Sequence, residues 1–169
     1  MSQSKYQYRV AIITSSDKGY RKERIDTSGP AIIEIVKKNN YLVTDYVILP
    51  DDQKLLSEKM KSLADEDICD LILTTGGTGC SPRDVTPEAT KAVIEKEIPG
   101  IAEAIRAYSL AITKRAMLGR GIAGIRKRTL IVNLPGSEKA VRESLIYIID
   151  TLEHGLAVLT GDNGDCGRS

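Results

Sequence analysis

The chain has 169 residues, the size of one ordinary domain, with 41% hydrophobic and 28% charged side chains. Its 24 basic residues face 23 acidic ones, so a net charge of +1 gives no pull toward nucleic acid or an anionic membrane. Seven Tyr with no Trp or Phe are too few for stacking platforms on single strands, and no apolar run approaches the ~20 residues that cross a bilayer. The cysteines Cys69, Cys80 and Cys166 are odd in number and form no CxxC pair, which argues against a disulfide scaffold or a zinc site. The N-terminal residues show no signal-peptide pattern, so the expected compartment is the cytoplasm.

In chain order, Tyr8 to Thr14 reads as a strand. Ser28-Gly29-Pro30 opens a helix, with Ser28 as its N-cap and Ile32, Ile33 and Val36 facing inward. Tyr41 to Leu49 is a second strand, ended by Pro50, and Asp52 to Ala64 a helix with Leu55, Leu56, Met60 and Leu63 at helical spacing. Leu71 to Thr75 is a third strand. Pro87 to Glu97 reads as a helix, broken by Pro99-Gly100 and resumed from Ile101 to Ile112. Gly121 to Arg126 pairs as a short strand with a fourth long one, Thr129 to Leu134. Ser137 caps a long helix to about Leu159, with Val141, Leu145, Ile148, Leu152 and Leu156 on one stripe. Residues 1–160 form one domain, and Gly161 to Ser169 has no apolar stripe and reads as a frayed, dispensable tail. The alternation predicts an α/β fold, a mainly parallel sheet with helices on both faces. Right-handed crossovers then bring every strand-to-helix loop to one edge.

Those loops carry the chemistry. Ligands of open α/β sheets bind beyond the carboxyl ends of the strands. Ser16-Asp17 and Asp26 to Pro30 follow the first strand, Pro50-Asp51-Asp52 the second, Thr75 to Pro87 the third, and Pro135-Gly136-Ser137 the fourth. In Gly76-Gly77-Thr78-Gly79 the glycines let backbone N–H groups approach an anion, although a tight turn alone also uses such a run. The run is neither a P-loop, which needs a following Lys, nor the GxGxxG fingerprint. Asp51 and Asp84 stand on different loops of the same edge and together suit a Mg²⁺ that also binds phosphate oxygens; the plainer role for Asp51 is a helix N-cap. Between Ile105 and Ser137 there is no acid but seven basic residues, among which Arg120 and Arg106 are candidates for a polyanionic ligand, while Arg126-Lys127-Arg128 reads as a solvated hairpin tip. The single histidine, His154, lies on the last helix away from the loops, where packing explains it better than catalysis.

The stretches Ser16-Asp17, DTSGP (Asp26 to Pro30), Pro50-Asp51, TTGGTG (Thr74 to Gly79) with PRDVTPEAT (Pro82 to Thr90), and NLPGS (Asn133 to Ser137) resemble the MogA-type molybdopterin adenylyltransferases, a family that includes the gephyrin G-domain. The resemblance runs from about Arg9 to Leu159. It implies the molybdenum cofactor biosynthesis fold, a homotrimer, and transfer of AMP from Mg-ATP to molybdopterin with release of pyrophosphate. It places Asp51 and Asp84 at the family's two essential aspartates and at its Mg²⁺. Gly76, Gly77, Thr78, Gly79, Pro135, Gly136 and Ser137 take the ATP and phosphate positions, Ser109 falls at a position the family uses for the pterin, and Ser16 and Asp17, in the matched first loop, with Arg120, from the basic stretch, are the further molybdopterin candidates. A downstream molybdenum insertase is the implied partner, with no nucleic acid and no membrane. Gly119 departs from the family, whose close members often carry a pterin-binding Ser there. Two alternatives share the fold: a non-catalytic homologue that binds molybdopterin and hands it on, and a nucleotide pyrophosphatase. The intact PRDVTPEAT stretch argues against both.

Overall fold

The computed structural model describes residues 6–161. The elements in order are β1 (Arg9–Ser15), α1 (Asp17–Tyr20), α2 (Ser28–Lys38), β2 (Leu42–Leu49), α3 (Gln53–Asp65), β3 (Leu71–Thr75), α4 (Thr86–Lys91), β4 (Lys96–Glu97), α5 (Pro99–Leu110), a 3₁₀ turn (Lys114–Leu118), β5 (Ala123–Arg126), β6 (Thr129–Leu134) and α6 (Glu138–Thr160). They form one six-stranded sheet in the order β2-β1-β3-β6-β5-β4. The first four neighbours pair in parallel, and β5 and β4 are added antiparallel at one end.

Both faces of the sheet are covered, which is why its central strands are almost continuously apolar rather than alternating. Period-2 geometry divides them. Val10, Ile12, Leu71, Leu73, Leu130, Val132 and Leu134 join α2, α5 and α6 in one core layer. Ala11, Ile13, Ile72 and Ile131 join α3 and α4 in the other. Helix α6 carries the expected stripe, capped at one end by Ser137, whose Oγ accepts from Ala140 N–H, and closed at the other by Gly161 at φ +75°. The tail expected from Gly161 onward lies, past that residue, outside the described residues, as does Cys166. Among the described residues no helix is long and apolar enough to cross a membrane.

The local departures from expectation have identifiable causes. The helix expected from Pro87 to Glu97 ends at Lys91, because the open edge of β5 recruits the following backbone: Glu95 N–H donates to Ile125 O (2.8 Å), and Ile98 N–H to Ala123 O (2.9 Å). Pro99 does not break a helix but opens α5 at its first turn. Helix α2 begins at Ser28 itself, and the capping role belongs to Asp26, whose Oδ1 accepts from the N–H of Ser28 (3.0 Å) and Gly29 (3.2 Å). Leu55 faces solvent, since α3 turns Leu56, Met60 and Leu63 inward. Arg126 is no solvated tip. Its guanidinium grips Asp65 (2.8 Å to each oxygen) and Val93 O (3.1 Å), and with Lys127 holds the Asp65 carboxyl down to about 2. His154 is exposed on α6 rather than packed.

The buried knot that ties β6 to its neighbours is Asn133. Its Nδ2 donates to Thr74 Oγ1 and Thr90 Oγ1 (2.9 Å each), and its Oδ1 accepts from Ile122 N–H (3.2 Å). Replacing Asn133 by Ala leaves these groups without their partner in a dry interior, at a cost of about 2–3 kcal/mol. Urea unfolding of Asn133→Ala is expected to show a lower midpoint with an unchanged m value.

Candidate functional site

The carboxyl ends of β1, β2, β3 and β6 meet at one edge, and their loops are cross-linked there by hydrogen bonds. Asp51 and Asp17 bind each other reciprocally: Asp17 N–H donates to Asp51 Oδ2 (2.9 Å) and Asp51 N–H to Asp17 Oδ1 (3.0 Å). Ser15 Oγ donates to Asp51 Oδ1 (2.6 Å). Arg83, from the β3 loop, closes the set by gripping the Asp17 carboxylate through Nε (3.0 Å) and Nη2 (2.9 Å), which holds that carboxyl below its usual range. Asp51 is not a helix cap. That role belongs to Asp52, whose Oδ1 accepts from Leu55 N–H (2.9 Å), so the Asp51 carboxylate is directed at the loops instead.

The glycine run makes this convergence possible. Gly76 at φ +87° passes under Ser15 so closely that a Cβ would collide with the Ser15 carbonyl oxygen. Gly77 at φ +64° leaves no room for a methyl between Thr86 Oγ1, Ser15 Oγ (3.0 Å) and Asp51 Oδ1 (3.3 Å). Beyond it the loop is held by Arg120, whose Nε donates to Gly79 O (2.6 Å), whose Nη2 donates to Asp84 O (2.6 Å), and whose Nη1 pairs with Glu88. Ser81 N–H donates to Asp84 Oδ2 (2.8 Å), fixing the second aspartate. Thr75 Oγ1 donates to Pro135 O (2.6 Å), and Ser28 Oγ to Gly136 O (2.8 Å), which seats the start of α6 against the same edge.

Two cavities flank this ridge. One, about 550 Å³, is bounded by the β1 loop from Ser15 to Ser28 together with Asp51, Gly76, Gly77, Ser137 and Glu138. The other, about 440 Å³, is bounded by Thr78, Gly79, Ser109, Ile112, Arg115, Leu118, Gly119 and Pro135. Gly77, Asp84 and Gly136 line both. The helix α6 begins at this shared wall, where its amide N–H groups and macrodipole favour an anion.

Four carboxylates line the larger cavity, and they are not equivalent. Asp26 is saturated, since its Oδ2 also accepts from Thr14 Oγ1 (2.7 Å) and Tyr46 OH (2.5 Å). Burial and the Asp26 charge raise the Tyr46 hydroxyl above its ordinary value, which keeps it a donor. Glu138 is turned to Arg142 (3.0 Å). Asp51 and Asp84 retain free lone pairs. Among the described residues no set of three or more His, Cys, Asp or Glu gathers as a closed metal site. Two carboxylates completed by ligand phosphates are a donor set that fits Mg²⁺, which takes few protein ligands.

The residues expected around the pterin divide. Ser109 lines the smaller cavity, with Gly119 beside it. Ser16 lines the larger one and caps α1 by accepting from Gly19 N–H (3.0 Å), while Asp17 is bound to Asp51 and Arg83. Arg120 is a cross-link with its donors engaged. Arg106 likewise donates to Gly119 O (3.3 Å) and Gly121 O (2.9 Å). Sequence reading passed over two arginines without a side-chain partner among the described residues: Arg24 lines the larger cavity and Arg115 the smaller. Only the cavity walls single them out.

Fold and loops define an open α/β domain that presents glycine loops and two available carboxylates at its strand ends. Residues 11–154 match the family described as "Probable molybdopterin binding domain". A Helicobacter pylori (strain J99) protein named molybdopterin adenylyltransferase is 38% identical over 155 residues, covering 90% of this chain and 88% of that protein. Its namesake in Escherichia coli K12 is 39% identical over 146 residues, 84% and 74% of the respective chains. A crystal structure of the molybdopterin biosynthesis enzyme MoaB from Thermus thermophilus superposes with a TM-score of 0.87 at 47% identity, covering 92% of this chain and 98% of that one. The chain belongs to this molybdopterin-binding domain family.

If Arg120 is the strut of the β3 loop, Arg120→Met costs about 1–2 kcal/mol, or about 2–8 °C in melting temperature. Amide hydrogen exchange is expected to quicken over residues 79–84 and not in the sheet.

Proposed function

We propose that the chain transfers an adenylyl group from Mg-ATP to molybdopterin, forming adenylyl-molybdopterin and pyrophosphate, a nucleotidyltransferase step of molybdenum cofactor biosynthesis. The observation that carries this reading is the pair of cavities, about 550 and 440 Å³, that meet at Gly77, Asp84 and Gly136. A transfer between two substrates needs two pockets with a common wall at the reacting atoms. In this reading ATP occupies the larger cavity and the pterin the smaller.

The terminal phosphate oxygen of molybdopterin attacks the α-phosphorus of ATP; the new P–O bond forms as the bond to the β-phosphate bridging oxygen breaks, and pyrophosphate leaves with that electron pair. The attacking oxygen is already anionic, so no side chain has to remove a proton, and the distance of His154 from the loops is no obstacle. Catalysis rests on alignment of two polyanions and on charge compensation at the α-phosphate. Mg²⁺ held by Asp51 and Asp84 would neutralise phosphate charge there. The Gly77 and Gly136 backbones border both pockets and orient the reacting groups, and Ser109 with Arg115 faces the pterin side. In this reading Ser16 borders the ATP cavity and Asp17 positions Asp51 through its N–H, so the pair serves the nucleotide side rather than the pterin side. The family resemblance supports a homotrimer and delivery to a molybdenum insertase, and we place the protein in the cytoplasm; exposed Leu110, Ile146 and Tyr147 offer apolar surface for a subunit contact.

Asp51→Asn and Asp84→Asn each remove one anionic ligand and little volume. Since Asp52 caps α3, the Asp51 change leaves the helix start intact, and stability is expected to fall by only about 1 kcal/mol. Molybdopterin-dependent pyrophosphate release is expected to fall about 10²-fold or more in each, while pterin binding by calorimetry persists. Full activity in both, with unchanged Mg²⁺ dependence, would overturn the assignment and favour a non-catalytic carrier.

Gly119 has φ −70° and ψ 123°, and an added Cβ meets only Ala116 O at 3.2 Å, so a side chain fits there with a small adjustment. Gly119→Ser is expected to tighten pterin binding by about 0.5–1.5 kcal/mol, the net value of one hydrogen bond, and to leave ATP binding unchanged. Calorimetric titration of both ligands measures this, and equal pterin affinities would refute it.

A further inference from the structure

The lining of the larger cavity includes two side chains with no structural task, Arg24 and Ile25. Arg24 is the one cation among the residues lining that cavity, against the carboxylates of Asp26, Asp51, Asp84 and Glu138. Its guanidinium has no partner among the described residues, unlike Arg83, Arg106 and Arg120, which are all engaged. Its neighbour Ile25 is 85% exposed, the most exposed large apolar side chain among the described residues, although it also borders the cavity. Leaving an isoleucine in water forgoes burial that most of its kind obtain.

The backbone around them is not loose. Glu23 N–H and Arg24 N–H both donate to Lys18 O (2.9 and 3.3 Å), and on the other side Asp26 is tied down by Thr14, Tyr46, Ser28 and Gly29. Arg24 and Ile25 are therefore presented between two fixed points. A ligand in this cavity that is anionic at one end and flat and apolar at the other would engage both.

We propose that Arg24 and Ile25 form the nucleotide clamp of the chain, with Arg24 binding the β- and γ-phosphates and Ile25 covering a face of the base. The proposal rests on the reading of the larger cavity as the ATP pocket and adds which residues hold each end of the nucleotide. A guanidinium forks onto phosphate oxygens. An aliphatic side chain covers the face of a base without reading its hydrogen-bonding edge, so the clamp contributes affinity rather than a choice between purines.

Inorganic tripolyphosphate separates the two halves, because it has the phosphates and no base. Its binding, and that of Mg-ATP, are to be measured by calorimetry on wild type, Arg24→Gln, Arg24→Lys and Ile25→Ala, with KM for ATP in parallel. Arg24→Gln is expected to weaken both ligands by about tenfold, and Arg24→Lys to recover part of the loss. Ile25→Ala is expected to weaken Mg-ATP by about three- to tenfold and to leave tripolyphosphate unchanged. None of these changes should alter pterin binding or the melting temperature, since both side chains are exposed. If wild type makes adenylyl-molybdopterin but Arg24→Gln binds tripolyphosphate as wild type does, the clamp is overturned and the assigned activity stands. If wild type binds no Mg-ATP and releases no pyrophosphate, the activity falls and the clamp with it.

Discussion

The site depends on how closely the loop after β3 passes the end of β1. Gly76 lies beneath the Ser15 carbonyl at a separation no Cβ would tolerate, and Gly77 follows at positive φ against Ser15, Asp51 and Thr86. This approach turns three separate strand ends into one surface. It brings Asp51, held by Ser15 Oγ, next to the glycine loop, and it returns the chain so that Thr86 N–H donates to Gly77 O (3.0 Å) and Asp84 lies between the two cavities. A side chain at either glycine would push this loop away from β1 and separate the two aspartates, whatever else was kept.

Charge is arranged on the same principle of fixed and available groups. Around the strand ends most ionic side chains are engaged: Asp17 with Arg83, Glu88 with Arg120, Asp26 with four donors, Glu138 with Arg142. These pairs are half-exposed and add modestly to stability. Their effect is positional, since they hold loops that have little apolar burial of their own. What remains without an ionic partner is a short set: the carboxylates of Asp51, in the larger cavity, and Asp84, on the shared wall, and one arginine lining each cavity, Arg24 and Arg115. A site that aligns anions requires this division, because a group committed to a protein partner cannot also change partners as a ligand arrives.

Much of the fold was legible because both layers of the core impose simple periods. The runs at Leu71–Thr75 and Thr129–Leu134 are short and rich in β-branched residues, which favours buried parallel strands over helix, and the stripe of α6 is long and capped at Ser137. Sequence failed where a tertiary partner overrode a local preference. Val93, Ile94 and Glu95 continue a helical pattern, yet the edge of β5 took their neighbours as a strand. In Pro50-Asp51-Asp52 either aspartate could cap, and only the helix register showed that Asp52 does. Arg120 reads as a ligand because it stands in an acid-free stretch, but Glu88, distant in sequence, meets it in space. Arg24 was hidden by the opposite circumstance, since the mixed charges of Arg21 to Asp26 look like an ordinary solvated loop.

The two cavities also differ in how they share their walls. The inner wall is common, polar and fixed largely by side chains that donate to its backbone carbonyls; the remaining linings are separate and carry exposed apolar side chains, Ile25 in one and Leu118 in the other. The wall they share is where their charges meet: Asp84 borders both, so a polyanion in either cavity faces the carboxylate and the charge of its counterpart at once. Without positive charge at that wall, filling one cavity disfavours filling the other; with it, the same wall attracts both. If the two cavities take the two proposed substrates, the charge at Asp84 is the one term that would couple them, because the loops of the ridge are cross-linked by hydrogen bonds.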